Sequence, residues 1–214
     1  MGDGWTRPTV GESGAKVIIG QPRGLSAARL EGSAGQRQAG ACSNVPTPLN
    51  PANASLANMR DSDKLYVLRP AQSENDWAAY HAIRRDAIFA LYFPHQPYDD
   101  THPDEFKPGN LPLVLLHGGE AVGTVRIDFL DQTRAGLRLI AVKPGLQRLG
   151  HGTALLDAAE SFLKQRGTRE ITINATSLSL PFYLGHGYRR GEWKDAGPVP
   201  KGLIRVGKRL QASA

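Results

Sequence analysis

The stretch of this sequence best suited to chemistry is Val142-Lys143-Pro144-Gly145-Leu146-Gln147-Arg148-Leu149-Gly150-His151-Gly152-Thr153. Gly150 and Gly152 lack Cβ atoms, so the backbone there can turn tightly and come close to a ligand. N–H groups opening a following helix would point outward at the positive end of its dipole. Arg148 adds a formal charge with a forked set of donors. Such a turn suits a pyrophosphate. A Walker loop would need Gly-Lys-Ser/Thr, and a dinucleotide fingerprint would need three glycines after an early strand; neither is present.

Elements on both sides must hold this turn. Upstream, Gly136 to Val142 reads as a strand; downstream, Thr153 to Arg166 reads as a helix whose stripe is Leu155, Leu156, Ala159, Phe162 and Leu163. Gly167 suits the residue that stops it. Earlier, Leu65 to Arg69 reads as a strand, and Ser73 with Asp76 forms a capping box opening a helix through about Phe89. Tyr80, Ile83, Ala87 and Leu91 recur at helical spacing and predict its buried face. Leu113 to Leu116 and Ala121 to Leu130 read as strands joined at Gly118-Gly119, a hairpin signal. Glu170 to Asn174 is a short strand and Ser179 to Leu184 a short helix; Tyr188 to Trp193 and Leu203 to Leu210 are closing strands. The order describes an α/β domain: a mixed sheet of about six to seven strands with helices on both faces.

The composition sets the outer bounds. A chain of 214 residues suits one domain with a sizeable core, or one domain and a tail. A net charge of +6 implies an anionic partner, whether nucleic acid, a membrane surface or a phosphorylated cofactor. The basic residues are scattered, which argues against a nucleic-acid arm. With Cys42 alone, an intrachain disulfide framework is impossible and the cytoplasm is the expected compartment. No apolar run is long enough for a membrane helix. Residues 1–60 are rich in Gly, Ser, Pro and Asn, which predicts a disordered tail ahead of a domain over 61–214. Met59 is an alternative start that this shift would accommodate.

Gln147, Gly150 and Gly152, preceded by Val142-Lys143-Pro144, match the pyrophosphate loop of the Gcn5-related N-acetyltransferase (GNAT) family, which the sequence resembles. Asn174 at the end of the next strand, and Pro181-Phe182-Tyr183-Leu184-Gly185-His186-Gly187-Tyr188, extend the resemblance over roughly 137–192. It implies a single GNAT-like domain in which the strand ending at Val142 splays from the one ending at Asn174. Acetyl-CoA would enter that gap as cosubstrate. Ile140, Ala141 and Val142 would pair with its pantetheine, as would Asn174. Gln147, Arg148, Leu149, Gly150, His151, Gly152 and Thr153 would cradle the pyrophosphate. An amine would attack the thioester directly, in a ternary complex, with a backbone N–H near Val142 as oxyanion donor. Tyr183 would touch the cofactor and act as general acid, since a phenol is protonated at neutral pH.

The base is less defined. Many family members carry a Glu on the strand that reads Leu137-Arg138-Leu139-Ile140 here, and Arg138 takes the equivalent place. Asp128 could deprotonate an ammonium through water, or be a surface acid. His151 lies in the turn, where its backbone matters more than its ring, while His186 and His117 read as turn and hairpin residues. His95, Tyr98, Asp99, Asp100 and His102 populate the loop where this family builds its acceptor pocket, beside Arg84 and Arg85 on the first helix. Their spacing does not suit a metal. The function expected is an acetyl-CoA-dependent N-acetyltransferase acting on an amine left unspecified. The alternative is a non-catalytic acyl-CoA sensor. Neither nucleic acid nor membrane is an expected partner, and the oligomeric state stays open, a homodimer included.

Overall fold

A computed structural model describes residues 65–211 and the backbone of Val17–Ile19. Its centre is an eight-stranded sheet in the order β1-β2-β3-β4-β5-β6-β8-β7. The strands are β1 (Val17–Ile19), β2 (Tyr66–Pro70), β3 (Asn110–His117), β4 (Glu120–Phe129), β5 (Arg134–Val142), β6 (Glu170–Ala175), β7 (Arg189–Arg190) and β8 (Ile204–Arg209). Among the described strands, only β5 and β6 pair in parallel. They are joined by the crossover helix α2 (His151–Gln165), as a parallel pair requires. β1 was not expected: it pairs antiparallel with β2 from within the segment read as a tail, whose other residues lie outside the described ones.

Local signals act as the sequence predicts at most corners. The Ser73 hydroxyl accepts the Asp76 N–H at 3.1 Å, and the Asp76 carboxylate accepts the Ser73 N–H at 3.1 Å, opening α1 (Glu74–Arg84). Gly118 and Gly119 take φ of 59° and 83°, the left-handed pair that a two-residue hairpin needs between β3 and β4.

Two expectations fail for stateable reasons. Leu91 is 65% exposed, although Tyr80, Ile83 and Ala87 are buried as expected. The helix widens into a π-helical turn over Arg85–Phe89 before its last turn, Ala90–Tyr92. A π turn inserts one residue, which rotates everything after it by about 100° and swings Leu91 off the core. The strand read over Tyr188 to Trp193 shrinks to Arg189–Arg190, because Gly191 and Trp193 leave the ladder.

The two faces of the sheet are packed differently. On one, α2 buries Ala154, Leu155, Leu156, Ala158, Ala159, Phe162 and Leu163 against Val125, Ile127, Leu137, Ile171, Ile173 and Val206. Short helix α3 (Leu180–Gly185) joins this layer through Leu180 and Tyr183. On the other face, α1 sets Tyr80 near Val114 and Ile83 near Ala141, and the π-helical turn adds Ala87 to the latter cluster. Phe162 is fully buried in the apolar layer. Phe162→Ala is expected to cost about 3–5 kcal/mol of stability. Urea unfolding should show it as a lower midpoint at unchanged slope.

Candidate functional site

β5 is paired along its length with β4, but with β6 only from Arg134↔Glu170 to Leu137↔Ile173. Beyond that point β6 follows β8, with Asn174 opposite Arg205 and Ala175 opposite Ile204. A wedge therefore opens at Arg138 and Asn174. A bulge shapes its β5 side: Arg138 faces Arg126 and Ala141 faces Thr124, so Leu139 and Ile140 together oppose one residue. Leu139 takes φ 50°, a conformation rare for a branched side chain. The Lys143 N–H donates to the Val122 carbonyl at 2.9 Å. By strand alternation, the N–H and C=O of Val142 then face the wedge.

The turn after β5 is built on positive φ at Gly145 (83°), Arg148 (64°) and Gly150 (88°). Gly150 is the N-cap of α2, with no side-chain cap. The first helical bond runs from Ala154 N–H to the Gly150 carbonyl, 3.0 Å. The amides of His151, Gly152 and Thr153 are thus left without helical acceptors at the dipole's positive end. Gly152 is less constrained than its type suggested: a methyl there would meet the Phe182 ring at 3.6 Å, an ordinary contact. The Gln147 amide nitrogen lies 3.5 Å from the Val142 carbonyl, folding the turn back to the wedge.

Side chains from distant elements brace this turn. The His151 ring is buried, with Nδ1 2.9 Å from the Tyr66 hydroxyl, and His117 stacks on Tyr66. Burial, and then neighbouring His117, holds the His151 pKa below its ordinary 6.5. His186 contacts the helix start through Thr153, Nε2 to Oγ1 at 3.2 Å. The sequence had set these rings apart from one another; the fold gathers His117 and His151 with Tyr66.

Tyr183 is buried beside Tyr188 and Phe182. Burial, reinforced by Tyr92, raises its hydroxyl pKa, so the phenol stays protonated at neutral pH. Asn174 stands at the mouth of the wedge, and its side-chain oxygen accepts from Arg205 Nε at 3.2 Å.

The α1 face of the sheet is ionic, which the sequence did not reveal. Arg126 donates to both oxygens of Asp128 (2.7 and 3.1 Å), and Arg138 Nε lies 3.5 Å from that carboxylate. Both Asp128 oxygens are therefore engaged by arginines. Glu105, buried in the 3-10 turn Pro103–Glu105, meets Arg84 at 2.7 Å and Arg126 at 3.0 Å and accepts the Tyr80 hydroxyl at 2.8 Å. Burial alone would raise the Glu105 pKa, but Arg84, Tyr80 and Arg126 together hold it low. In the loop between Pro94 and Gly109, His95, Asp99, Asp100 and His102 are exposed, as is Arg85 before it, while Tyr98 reaches His81 at 2.8 Å. Among the described residues, no group of three ligands could hold a metal.

A family model described as "Acetyltransferase (GNAT) family" matches residues 77–188. The fold is shared with solved structures of low sequence identity. An acetyltransferase of the GNAT family from Staphylococcus aureus is 17% identical, with TM-score 0.56 over 68% of this chain and 99% of that one. Gcn5 of Tetrahymena is 15% identical, with TM-score 0.56 over 66% and 92%. The PaiA N-acetyltransferase of Thermoplasma acidophilum, solved in complex with coenzyme A, is 16% identical, with TM-score 0.52 over 68% and 99%.

The depressed His151 pKa has a stability consequence with a definite sign. The unfolded chain takes up this proton near pH 6.5, whereas the folded one does so only at lower pH. The contribution is complete above pH 6.5 and is lost as pH falls below it. Melting curves between about pH 8 and pH 5 should show a smaller acid-side decline for His151→Gln than for the parent. Parallel declines would mean that His151 does not titrate differently in the folded state.

Proposed function

The chain belongs to the acetyltransferase (GNAT) family, and we propose that it transfers an acetyl group from acetyl-CoA directly to a primary amine while holding both. The observation that carries this reading is the wedge between β5 and β6, opening beside three free amides at the start of α2. An acyl-CoA asks for that combination: a slot for an extended, amide-bearing arm and a cationic turn for its diphosphate. In this reading Val142 pairs with the arm, with Ile140 and Ala141 shaping the slot's edge. Residues Gln147 to Thr153 and the charge of Arg148 hold the diphosphate, and Asn174 closes the far side.

The chemistry balances with few protein groups. The amine nitrogen attacks the thioester carbonyl, the N–C bond forms, and the carbonyl oxygen gathers charge toward the Val142 N–H. The C–S bond then breaks, and the departing thiolate takes the proton of the Tyr183 hydroxyl, which solvent restores. The proton lost by nitrogen goes to water. Asp128 and Glu105 are both held by arginines, so neither is assigned as base. Acceptors that are already neutral at working pH suit such a site.

Release of free thiol from acetyl-CoA across a panel of amines tests the proposal, alongside melting with and without acetyl-CoA. Thiol release that depends on an amine supports transfer. A melting shift without release supports an acyl-CoA sensor, and neither signal removes both readings. Tyr183→Phe is expected to lower kcat on the order of 10²-fold while keeping the melting shift. Unchanged turnover would take Tyr183 out of the mechanism.

A further inference from the structure

On the ionic face, a row of small residues crosses three strands in register: Gly136 opposite Thr172, and Thr172 opposite Gly207. These glycines are floor, not turn. A Cβ at Gly136 would collide with the Arg138 guanidinium, and one at Gly207 would collide with the Trp193 ring. The row is a trough, walled by Arg138 and by Arg205, which is anchored on Asn174. It lies one pair before Leu137↔Ile173, the last pair of β5 and β6, beyond which the wedge opens.

The occupant of the trough is a carboxylate. Asp195 sits there almost wholly out of solvent. It takes Arg138 Nη2 on one oxygen, and on the other the Thr172 hydroxyl at 2.9 Å with Arg205 Nε at 3.5 Å. The arginines belong to the sheet, whereas Asp195 comes from the irregular, mostly exposed segment 191–203. Removing that carboxylate without replacement would leave the Arg205 guanidinium without a charge partner and Arg138 with Asp128 alone, which is unfavourable. Exchanging it for another carboxylate keeps the charge balance.

We propose that the Arg138–Thr172–Arg205 trough is the acceptor's carboxylate site, that Asp195 fills it when no acceptor is bound, and that the amines acetylated are small ones carrying a carboxylate. This assignment rests on the acetyl-transfer reading above. A carboxylate in the trough would lie at the opening of the wedge, on the face closed by α1 and the 94–109 loop. An amine lacking the acid cannot displace Asp195.

The test uses the full chain, saturating acetyl-CoA, and acceptor pairs differing only as carboxylate or carboxamide. Amino acids with the acid several bonds from the amine are preferred, so that the amine pKa is matched within each pair, and rates are compared at an alkaline pH where a share of both amines is neutral. The carboxylate member should have the higher kcat/KM by about tenfold or more, the scale of charge-assisted hydrogen bonds. Asp195→Asn should lower KM for carboxylate acceptors and leave the carboxamide KM where it was. Arg205→Gln should bring the carboxylate-to-carboxamide ratio toward one. Equal use of both members by the parent protein overturns the proposal, as does an Asp195→Asn effect that is the same for both. If the protein melts higher with acetyl-CoA but no acceptor of either kind releases thiol, the acetyl-transfer reading itself fails, and this assignment with it.

Discussion

β5 has two neighbours that make different demands on it. β4 holds it to its end, while β6 leaves after Leu137↔Ile173, and the bulge at Leu139–Ile140 lets one strand meet both conditions. In a regular strand, Arg138 and Ala141 would point to opposite faces. The extra residue puts both on the α1 side, so Ala141 packs with Ile83 and Ala87 while Arg138 enters the ionic layer. Val142 turns the other way, its side chain beside the Gly152 position that Phe182 also approaches. The positive φ of Leu139 costs about 1–2 kcal/mol, and the pairs Arg126↔Arg138 and Thr124↔Ala141 on either side hold it in place. Through this one irregularity both helical layers are keyed to the wedge.

The two layers then divide the work. The α2 side is apolar and close-packed, from Leu155 to Phe162 over Ile127 and Ile171. It positions the helix start whose amides face the wedge. The α1 side carries Arg84, Glu105, Arg126, Asp128, Arg138, Asp195 and Arg205 in one connected chain of contacts. Buried ion pairs of this kind contribute little net stability against apolar packing. A protein needing only a stable sheet would gain from hydrocarbon there. What the charge supplies instead is a polar face of fixed geometry beside the wedge.

What could be read beforehand was what depends on neighbours in sequence. The Ser73–Asp76 cap and the Gly118-Gly119 turn each carry their geometry within a few residues and form as read, and a turn does join β5 to α2, although the helix opens at His151, two residues before Thr153. The family resemblance added the wedge, which no local pattern encodes. Features that require distant partners stayed hidden. Tyr66 and His151 are 85 positions apart, and Arg138 and Asp195 are 57 apart. Asp195 lies in a segment of Gly and Pro whose composition reads only as loop. Leu91 kept its helical spacing on paper, and only a π turn, which no residue type marks, took it off the core.

Gly136 and Gly207 explain why composition misleads here. Glycine inside a strand reads as a weak point, a bulge or a turn. In this sheet neither has positive φ, and what each supplies is the absence of a side chain beneath a large neighbour. An alanine at either position would be helped by strand propensity yet would lift Arg138 or Trp193 off the sheet. The local loss of ordering entropy at these glycines is therefore offset by a contact two or fourteen residues away in sequence. Because those contacts set the shape of the polar face and not the apolar layer behind it, this face can change shape while α2 and the turn at Gly150 stay as they are.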